Sequence, residues 1–118
     1  MLNPARGDIY LANLEPVKGT ETEGTSRPVL IVQNNSITKN FLTIIGIPFT
    51  KNLDRSKLPS TVLIKKDTTN RLAVDSVLLC HQIRTLDKSR LVKRLGQISE
   101  KQLTEVDEKL LFTLGIQL

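Results

Sequence analysis

The sequence predicts a mainly β fold, a small antiparallel barrel or sandwich, that ends in an α-helix. Short apolar stretches follow one another at close intervals, and polar, turn-like segments separate them. A series of strands with little helix between them is typical of antiparallel sheets rather than of a parallel α/β sheet. Only the C-terminal segment changes to the helical period of apolar residues.

Each predicted strand is a run of apolar and β-branched residues bounded by polar residues. The five runs are GDIYLANL (7–14), PVLIVQ (28–33), LTIIGIPF (42–49), LPSTVLIKK (58–66) and LAVDSVLLCHQI (72–83). The second is apolar almost throughout, which indicates a strand buried on both faces. In the third, Gly46 and Pro48 predict a bulge or a bend. The polar pieces QNNSITKN and KKDTTNR predict turns.

The predicted C-terminal helix covers residues 100–114. Ser99 and Gln102 have the spacing of a capping box, and Gly115 is a favourable residue for the end of the helix. Four apolar residues then fall on one helical stripe: Leu103, Val106, Leu110 and Leu114. We expect this stripe to lie on the sheet, and a shorter helical turn to start near Asp87.

Length and composition indicate one domain, residues 1–118, in a reducing compartment. A chain of 118 residues with 39% hydrophobic and 25% charged residues is ordinary for a globular protein. No apolar run approaches the ~18 residues of a membrane span, and the N-terminus lacks the pattern of a signal peptide. Cys80 is the only cysteine, which excludes an internal disulfide. We therefore expect a cytoplasmic protein.

A basic segment, residues 84–94, stands out from the moderate net charge of +5. It holds five Lys or Arg residues and one acidic residue. Such a segment suits a polyanion such as nucleic acid, and it equally suits a solvated surface of a helix or loop. Composition alone does not decide between these two interpretations.

The inventory of reactive side chains favours catalysis without a metal or cofactor. His81 is the only histidine, and one Cys with one His cannot supply the usual zinc spacings. Cys80 and His81 are adjacent in a predicted strand, so their side chains should point to opposite faces and form no dyad. The sequence has neither a Walker loop nor a G-x-G-x-x-G motif. Aromatic residues are few, which argues against a long surface for stacking bases and favours an enclosed site.

Several segments, read together, resemble the MazF/PemK (Kid) family of toxin ribonucleases. They are RGDIYLANLEPVKGTETEG, RPVLIVQNN, TIIGIPFT, LPSTVLI and DSVLLCHQIRTLDKSRL, in the family's order and spacing. The resemblance implies an SH3-like β-barrel with a C-terminal helix, a homodimer, and sequence-specific cleavage of single-stranded RNA without metal. It also implies a cognate, MazE-like antitoxin whose acidic disordered tail covers the RNA site.

Arg27 and Thr50 are the catalytic residues that the resemblance implies. The guanidinium of Arg27 presents a fork of donors that matches phosphate oxygens, and Pro28 favours an extended backbone for it at the start of a strand. Thr50 closes the IPFT strand; an alcohol is a poor base unless activated, so we assign it to orienting the phosphate or the 2′-hydroxyl. From the residues alone, Arg27 could instead cover the end of the barrel and Thr50 could simply end a strand.

Further site residues follow from the same resemblance. Glu21 matches the glutamate of the family's G-S-E-Q pattern, with Thr20 in the serine position. Glu21 could accept a proton or pair with an exposed base edge. Threonine replaces the usual glutamine and the loop is longer by one residue, which leaves the roles of Glu21 and Glu23 open.

The family match also reaches the end of the fifth predicted strand. Kid-related members carry a catalytic arginine and aspartate there, where this chain has Leu79 and His81. Leu79 cannot exchange protons; His81 can, and it is a candidate for RNA contact or proton transfer. Thr20, Gln82 and Lys51 are predicted RNA contacts.

Two other functions remain open from the sequence. A CcdB-like toxin would share the barrel but bind DNA gyrase without cleaving RNA. An RNA-binding module without turnover is the third alternative.

Overall fold

Seven strands form one antiparallel sheet in the computed structural model, which describes residues 2–14 and 26–118. The strands are β1 (Asp8–Asn13), β2 (Ser26–Ile31), β3 (Thr43–Thr50), β4 (Thr61–Ile64), β5 (Ser76–Leu79), β6 (Arg84–Asp87) and β7 (Leu91–Gln97). The helices are α1 (Asn35–Thr38) and α2 (Glu100–Leu114), with 3₁₀ turns at Leu53–Lys57, Cys80–Gln82 and Lys88–Arg90. The predicted mainly β class with a C-terminal helix is confirmed.

The sheet order is β4-β5-β3-β2-β1-β7, and β6 also pairs with β3. β3 is the longest strand and changes partner along its length. Its first half pairs with β6 up to Gly46, and its end pairs with β5 from Phe49 onwards. Gly46 and Pro48, which predict a bulge or a bend, flank this change of partner; the β2–β3 register runs through both without a shift.

The core has two parts, one on each face of the central strands. Ile9, Leu30 and Ile47 belong to the larger cluster, and Tyr10 and Val29 to the smaller one. Neighbouring residues of β1 and β2 therefore point into different clusters, as the alternation of a strand requires. This confirms that β2 is buried on both faces.

Helix α2 begins and ends where the sequence predicts. Ser99 and Gln102 make both hydrogen bonds of the capping box, and Gly115 ends the helix with a φ of 71°. Val106 is completely buried in the larger cluster, with Leu103 and Leu110 packed against it. Leu114 is 55% exposed, so the predicted apolar stripe does not extend to it. Within the described residues, no helix combines the length and apolarity needed to cross a bilayer.

Several predicted boundaries were wrong. Strand β4 is shorter than 58–66 because residues 58–60 form a bend and turn and the strand ends at Ile64. Of the run 72–83, only the four residues of β5 are strand. The polar piece after β2 contains α1, whose N-cap Asn34 accepts a hydrogen bond from the backbone of Ser36. The helical turn near Asp87 is present as a 3₁₀ turn, but the strands β6 and β7 on either side of it were missed.

The basic segment 84–94 is largely used within the fold. Arg84 donates a hydrogen bond to the carbonyl oxygen of Leu14, and Arg90 to that of Asn13. Lys88 donates to the carbonyl of Thr38, and Arg94 forms an ion pair with Asp8. Four of the five cations thus connect neighbouring segments, and Arg84, Lys93 and Arg94 are exposed to solvent.

Candidate active site

Strand pairing brings Arg27 and Thr50 side by side. β2 and β3 are antiparallel, with Val29 opposite Pro48 and Leu30 opposite Ile47. Continuing this register by two residues places Arg27 opposite Thr50. The Cβ atoms of opposite residues in an antiparallel pair are about 5 Å apart. The two predicted catalytic residues, far apart in sequence, therefore lie together at the edge of the sheet where β2 begins and β3 ends.

A groove of about 400 Å³ lies at this edge, and both residues line it. Lys51, also predicted from the sequence, lines it as well and adds a second cation to that of Arg27. The remaining lining residues are Ser26, Pro28, Phe49, Asn52, Leu72, Ala73, Val74 and Ser76. The groove thus combines two cations and hydroxyl groups with an apolar wall.

The side chain of Arg27 is available to a ligand. It is exposed, and it makes no hydrogen bond or ion pair with any residue in 2–14 or 26–118. Its backbone is fixed by the β1–β2 pairing, where Ala12 lies opposite it. The guanidinium is therefore positioned by the sheet while its donors remain open to an anion.

The hydroxyl of Thr50 is oriented by the chain that follows it. The backbone N–H of Asn52 donates to Thr50 Oγ1 over 3.2 Å. Because this bond occupies a lone pair of the oxygen, the hydroxyl proton can be donated to a ligand oxygen. The contact agrees with an orienting role for Thr50 rather than that of a general base.

His81 and Gln82 lie apart from the groove. Thr50 pairs with Val77, near the start of β5, whereas His81 follows the end of that strand in a 3₁₀ turn. His81 lies four residues beyond Val77, roughly 10 Å along the chain when two steps have the rise of a strand and two that of a 3₁₀ turn. His81 is exposed, and its Nδ1 lies 2.8 Å from the hydroxyl of Ser60. Sequence reasoning did not identify Ser60 as its partner.

Cys80 forms no dyad with His81, as predicted, although both residues lie in a 3₁₀ turn and not in the predicted strand. The Cys80 side chain is completely buried in the larger core cluster, while that of His81 is exposed. Burial raises the pKa of the Cys80 thiol to about 11. Cys80 is therefore a core residue in its neutral form.

Thr20, Glu21 and Glu23 lie outside the described residues. Their predicted roles are therefore carried by the sequence alone. Among the residues that the structure does describe, no group of three or more His, Cys, Asp or Glu side chains could hold a metal ion.

Sequence reasoning missed part of the groove. Asn52, which orients Thr50 through its backbone, was not singled out, although Asn two residues after a strand is a common start for a turn. The apolar wall formed by Leu72, Ala73 and Val74 was assigned to a strand. No local signal could have placed these residues beside Arg27, because the contact depends on the pairing of distant strands.

A shallower depression adjoins the groove. It shares Lys51 and Val74 with the groove, and Leu53, Lys66 and Asp75 complete its lining. A third cation, Lys66, therefore lies next to the two that line the groove, so a negatively charged chain could continue beyond it.

Comparison with known proteins gives one consistent result. The family of PemK-like, MazF-like toxins of type II toxin–antitoxin systems matches residues 5–114. An endoribonuclease MazF of Staphylococcus epidermidis is 45% identical over 111 residues, which cover 94% of this chain and 91% of that protein. MazF of Deinococcus radiodurans has a similar structure, with a TM-score of 0.77 at 26% identity, covering 98% of this chain and all of that one.

A mycobacterial endoribonuclease in complex with its cognate antitoxin also has this fold. Its TM-score is 0.78 at 23% identity, and the similarity covers 98% of both chains.

Proposed function

Because this chain belongs to the family of PemK-like, MazF-like toxins of type II toxin–antitoxin systems, we propose that it is a metal-independent endoribonuclease. It cleaves single-stranded RNA, including mRNA, at specific sequences by attack of the substrate's own 2′-hydroxyl. The observation that carries this proposal is the groove in which Arg27 and Thr50 lie side by side, with Lys51 next to them.

The reaction makes one bond and breaks one bond at the same phosphorus atom. The 2′ oxygen loses its proton and bonds to phosphorus, and the bond from phosphorus to the 5′ oxygen breaks. The departing 5′ oxygen takes up a proton. The products are a 2′,3′-cyclic phosphate and a 5′-hydroxyl, and neither water nor an external nucleophile is needed for the cleavage step.

Arg27 stabilises the negative charge that develops on the phosphorus oxygens. Its open guanidinium can donate two parallel hydrogen bonds to a phosphate. Donors aimed at developing charge are worth a few kcal/mol in the transition state. Lys51 adds a positive charge on the same groove and holds the RNA backbone.

Thr50 orients the reacting group by donating its hydroxyl proton to a phosphate oxygen. Glu21, which precedes β2 in the sequence, is the proposed proton acceptor, and Thr20 is an RNA contact; both assignments derive from the family resemblance. His81 and Gln82 follow the end of β5 and are not among the residues that line the groove. We assign them to contacts with RNA beyond the scissile bond.

The partner that controls this activity is a cognate antitoxin of the MazE kind. Complexes with antitoxins are described for the mycobacterial and Deinococcus proteins of this fold. An acidic disordered tail would compete with RNA for a groove that carries Arg27 and Lys51. The proposed assembly is a homodimer, and the proposed location is the cytoplasm.

The test is incubation of the purified chain with single-stranded RNA in excess EDTA. We expect cleavage fragments that end in a 2′,3′-cyclic phosphate, sequence-specific 5′ ends, and loss of cleavage in Arg27→Ala. A substrate with a 2′-deoxy sugar at the cleaved position should stay intact, since it lacks the nucleophile. Cleavage that needs a divalent metal, or cleavage of the 2′-deoxy substrate, contradicts the proposal. No cleavage together with trapping of DNA gyrase would select the CcdB-like alternative.

A further inference from the structure

One wall of the groove is built from an irregular segment, the β4–β5 connection at residues 65–75. Leu72, Ala73 and Val74 from this connection line the groove together with Arg27 and Thr50. Segments without regular hydrogen bonding are usually the mobile parts of a fold. The connection therefore needs another means of holding its apolar residues in place.

A buried amide is one such means, beside the carboxylates of Asp67 and Asp75, which accept from backbone N–H groups of the same segment. Asn70 is completely buried, and its side chain bonds to three points of the connection. Nδ2 donates to the carbonyl of Lys65 over 2.9 Å, and Oδ1 accepts from the backbone N–H groups of Asp67 and Leu72, both over 3.0 Å. The amide thus ties the start of the connection to the first residue of the groove wall.

Strand β7 fixes the same segment from the opposite side. The N–H of Gln97 donates to the carbonyl of Thr69 over 3.2 Å. A Cβ atom on Gly96 would lie 2.2 Å from that carbonyl oxygen and 2.7 Å from the carbonyl oxygen of Asn70. The segment therefore lies directly on β7, and only glycine permits this approach.

The backbone at Arg71 turns the chain from Asn70 into the wall. Arg71 has a φ of 57°, a left-handed conformation that is uncommon for residues other than glycine. Its N–H donates to the carbonyl of Asp67 over 3.0 Å. Because Leu72 is both held by Asn70 and buried in the core cluster, the wall has one defined position before RNA binds.

We propose that Asn70 is a positioning residue for substrate binding, a role that rests on the proposed function. It holds Leu72, Ala73 and Val74 so that they form a preformed apolar surface against a base next to the scissile phosphate. Single-stranded RNA is recognised through splayed-out bases that pack on protein side chains. A preformed surface avoids the entropy of ordering the connection at each binding event.

The test compares Asn70→Ala with Val106→Ala, a truncation of the buried residue of α2, which lies outside the groove lining. Steady-state kcat and KM for an RNA oligonucleotide are measured at a temperature where urea denaturation shows both variants folded. We expect Asn70→Ala to raise KM about tenfold with kcat within about threefold, since it weakens a contact made equally before and during the reaction. Val106→Ala should leave KM within about twofold of the wild type.

A second substrate separates a positioning role from a loss of stability. Oligonucleotides with an abasic residue at each position next to the cleaved bond are tested with both chains. At the position that contacts the wall, the abasic substrate should have nearly the same KM with the wild type and with Asn70→Ala. A tenfold difference that persists at every abasic position overturns the proposal, as does an unchanged KM for Asn70→Ala on the intact RNA.

Val74→Ala provides the test if Asn70→Ala does not fold. Val74 is 43% exposed, so its truncation should leave the fold intact while it removes part of the wall. We expect KM to rise about threefold on intact RNA; an unchanged KM overturns the inference. The wild type in the same series distinguishes failure of the proposed function from failure of this inference. If the wild type does not cleave RNA, the proposed function is contradicted. If it cleaves RNA and the variants have unchanged KM values, only the role of Asn70 is contradicted.

Discussion

Arg27 combines a fixed backbone with an open side chain. The β1–β2 pairing holds its main chain, whereas its guanidinium makes no hydrogen bond or ion pair with the described residues. A structural arginine covering the end of the sheet would have such partners. The open fork of donors on the groove is what a phosphate-binding role requires.

Substitution of Arg27 should therefore affect the reaction and not the fold. Arg27→Ala is expected to lower the single-turnover cleavage rate by about 10²–10³-fold, the range for removing one donor to developing charge. Arg27→Lys should recover only part of this loss, because an ammonium lacks the planar fork. Urea denaturation should show both variants within about 0.5 kcal/mol of the wild type. A loss of stability that parallels the loss of rate would indicate a structural arginine instead.

Cys80, in contrast to Arg27, carries a reactive group that is buried and out of reach of a ligand. Burial raises its pKa to about 11 from an ordinary value of 9.0, so the folded protein binds the thiol proton more tightly than the unfolded chain. The stability that this provides is present below pH 9 and is lost as pH rises from 9 towards 11.

The free energy of unfolding should consequently fall between pH 9 and pH 11 by more in the wild type than in Cys80→Ala. Urea denaturation at pH 8, 9, 10 and 11 measures the difference. Lysines also titrate in this range, but they do so in both proteins, so their effect cancels in the comparison. A thiol reagent at pH 8 should modify the folded wild type only at its rate of unfolding. Equal pH dependence in the two proteins would contradict the assignment of Cys80 as a buried neutral thiol.

At the level of the elements, β7 and α2 each depend on a glycine for a different reason. Gly96 of β7 lies against the carbonyl oxygens of the β4–β5 connection, where a Cβ atom has no room. Gly115 after α2 has open space around it but a φ of 71°. The first glycine is needed for close approach and the second for a left-handed backbone.

Alanine should distinguish these two requirements. Gly96→Ala is expected to reduce the free energy of unfolding by about 3 kcal/mol, the upper part of the range for overpacking, because the blocking atoms belong to the backbone. Gly115→Ala should reduce it by only about 1 kcal/mol, the cost of a left-handed conformation for a residue with a Cβ. Urea denaturation of both variants gives the comparison. Equal losses, or a larger loss at Gly115, would mean that the β7 contact is not as close as described.

The whole molecule shows which features a sequence can predict. The capping box of α2 and the apolar run of β2 are local patterns, and both were predicted correctly. Strands β6 and β7 were not predicted, because the many charged residues around the buried Leu86 and Leu91 obscure the apolar pattern of a strand. The family resemblance named Arg27 and Thr50, but their proximity depends on the register between β2 and β3.

The groove wall could not be predicted for the same physical reason. Its position results from the contact between the β4–β5 connection and β7. Strands β5 and β6 lie between these two segments in the sequence. The buried amide of Asn70 had no signal in a sequence where Asn is common in turns. Non-local packing of this kind becomes visible only in the folded chain.

A double-mutant cycle on Arg27 and Thr50 tests the central claim most directly, namely that both side chains act on one phosphate. Single-turnover cleavage rates are measured in EDTA for the wild type, Arg27→Ala, Thr50→Val and the double variant. The pair Arg27→Ala with His81→Ala serves as the control, since His81 lies at the other end of β5. We expect Arg27 and Thr50 to be coupled by about 1 kcal/mol or more, and the control pair to be additive within about 0.5 kcal/mol. Additive effects at Arg27 and Thr50 would contradict the account.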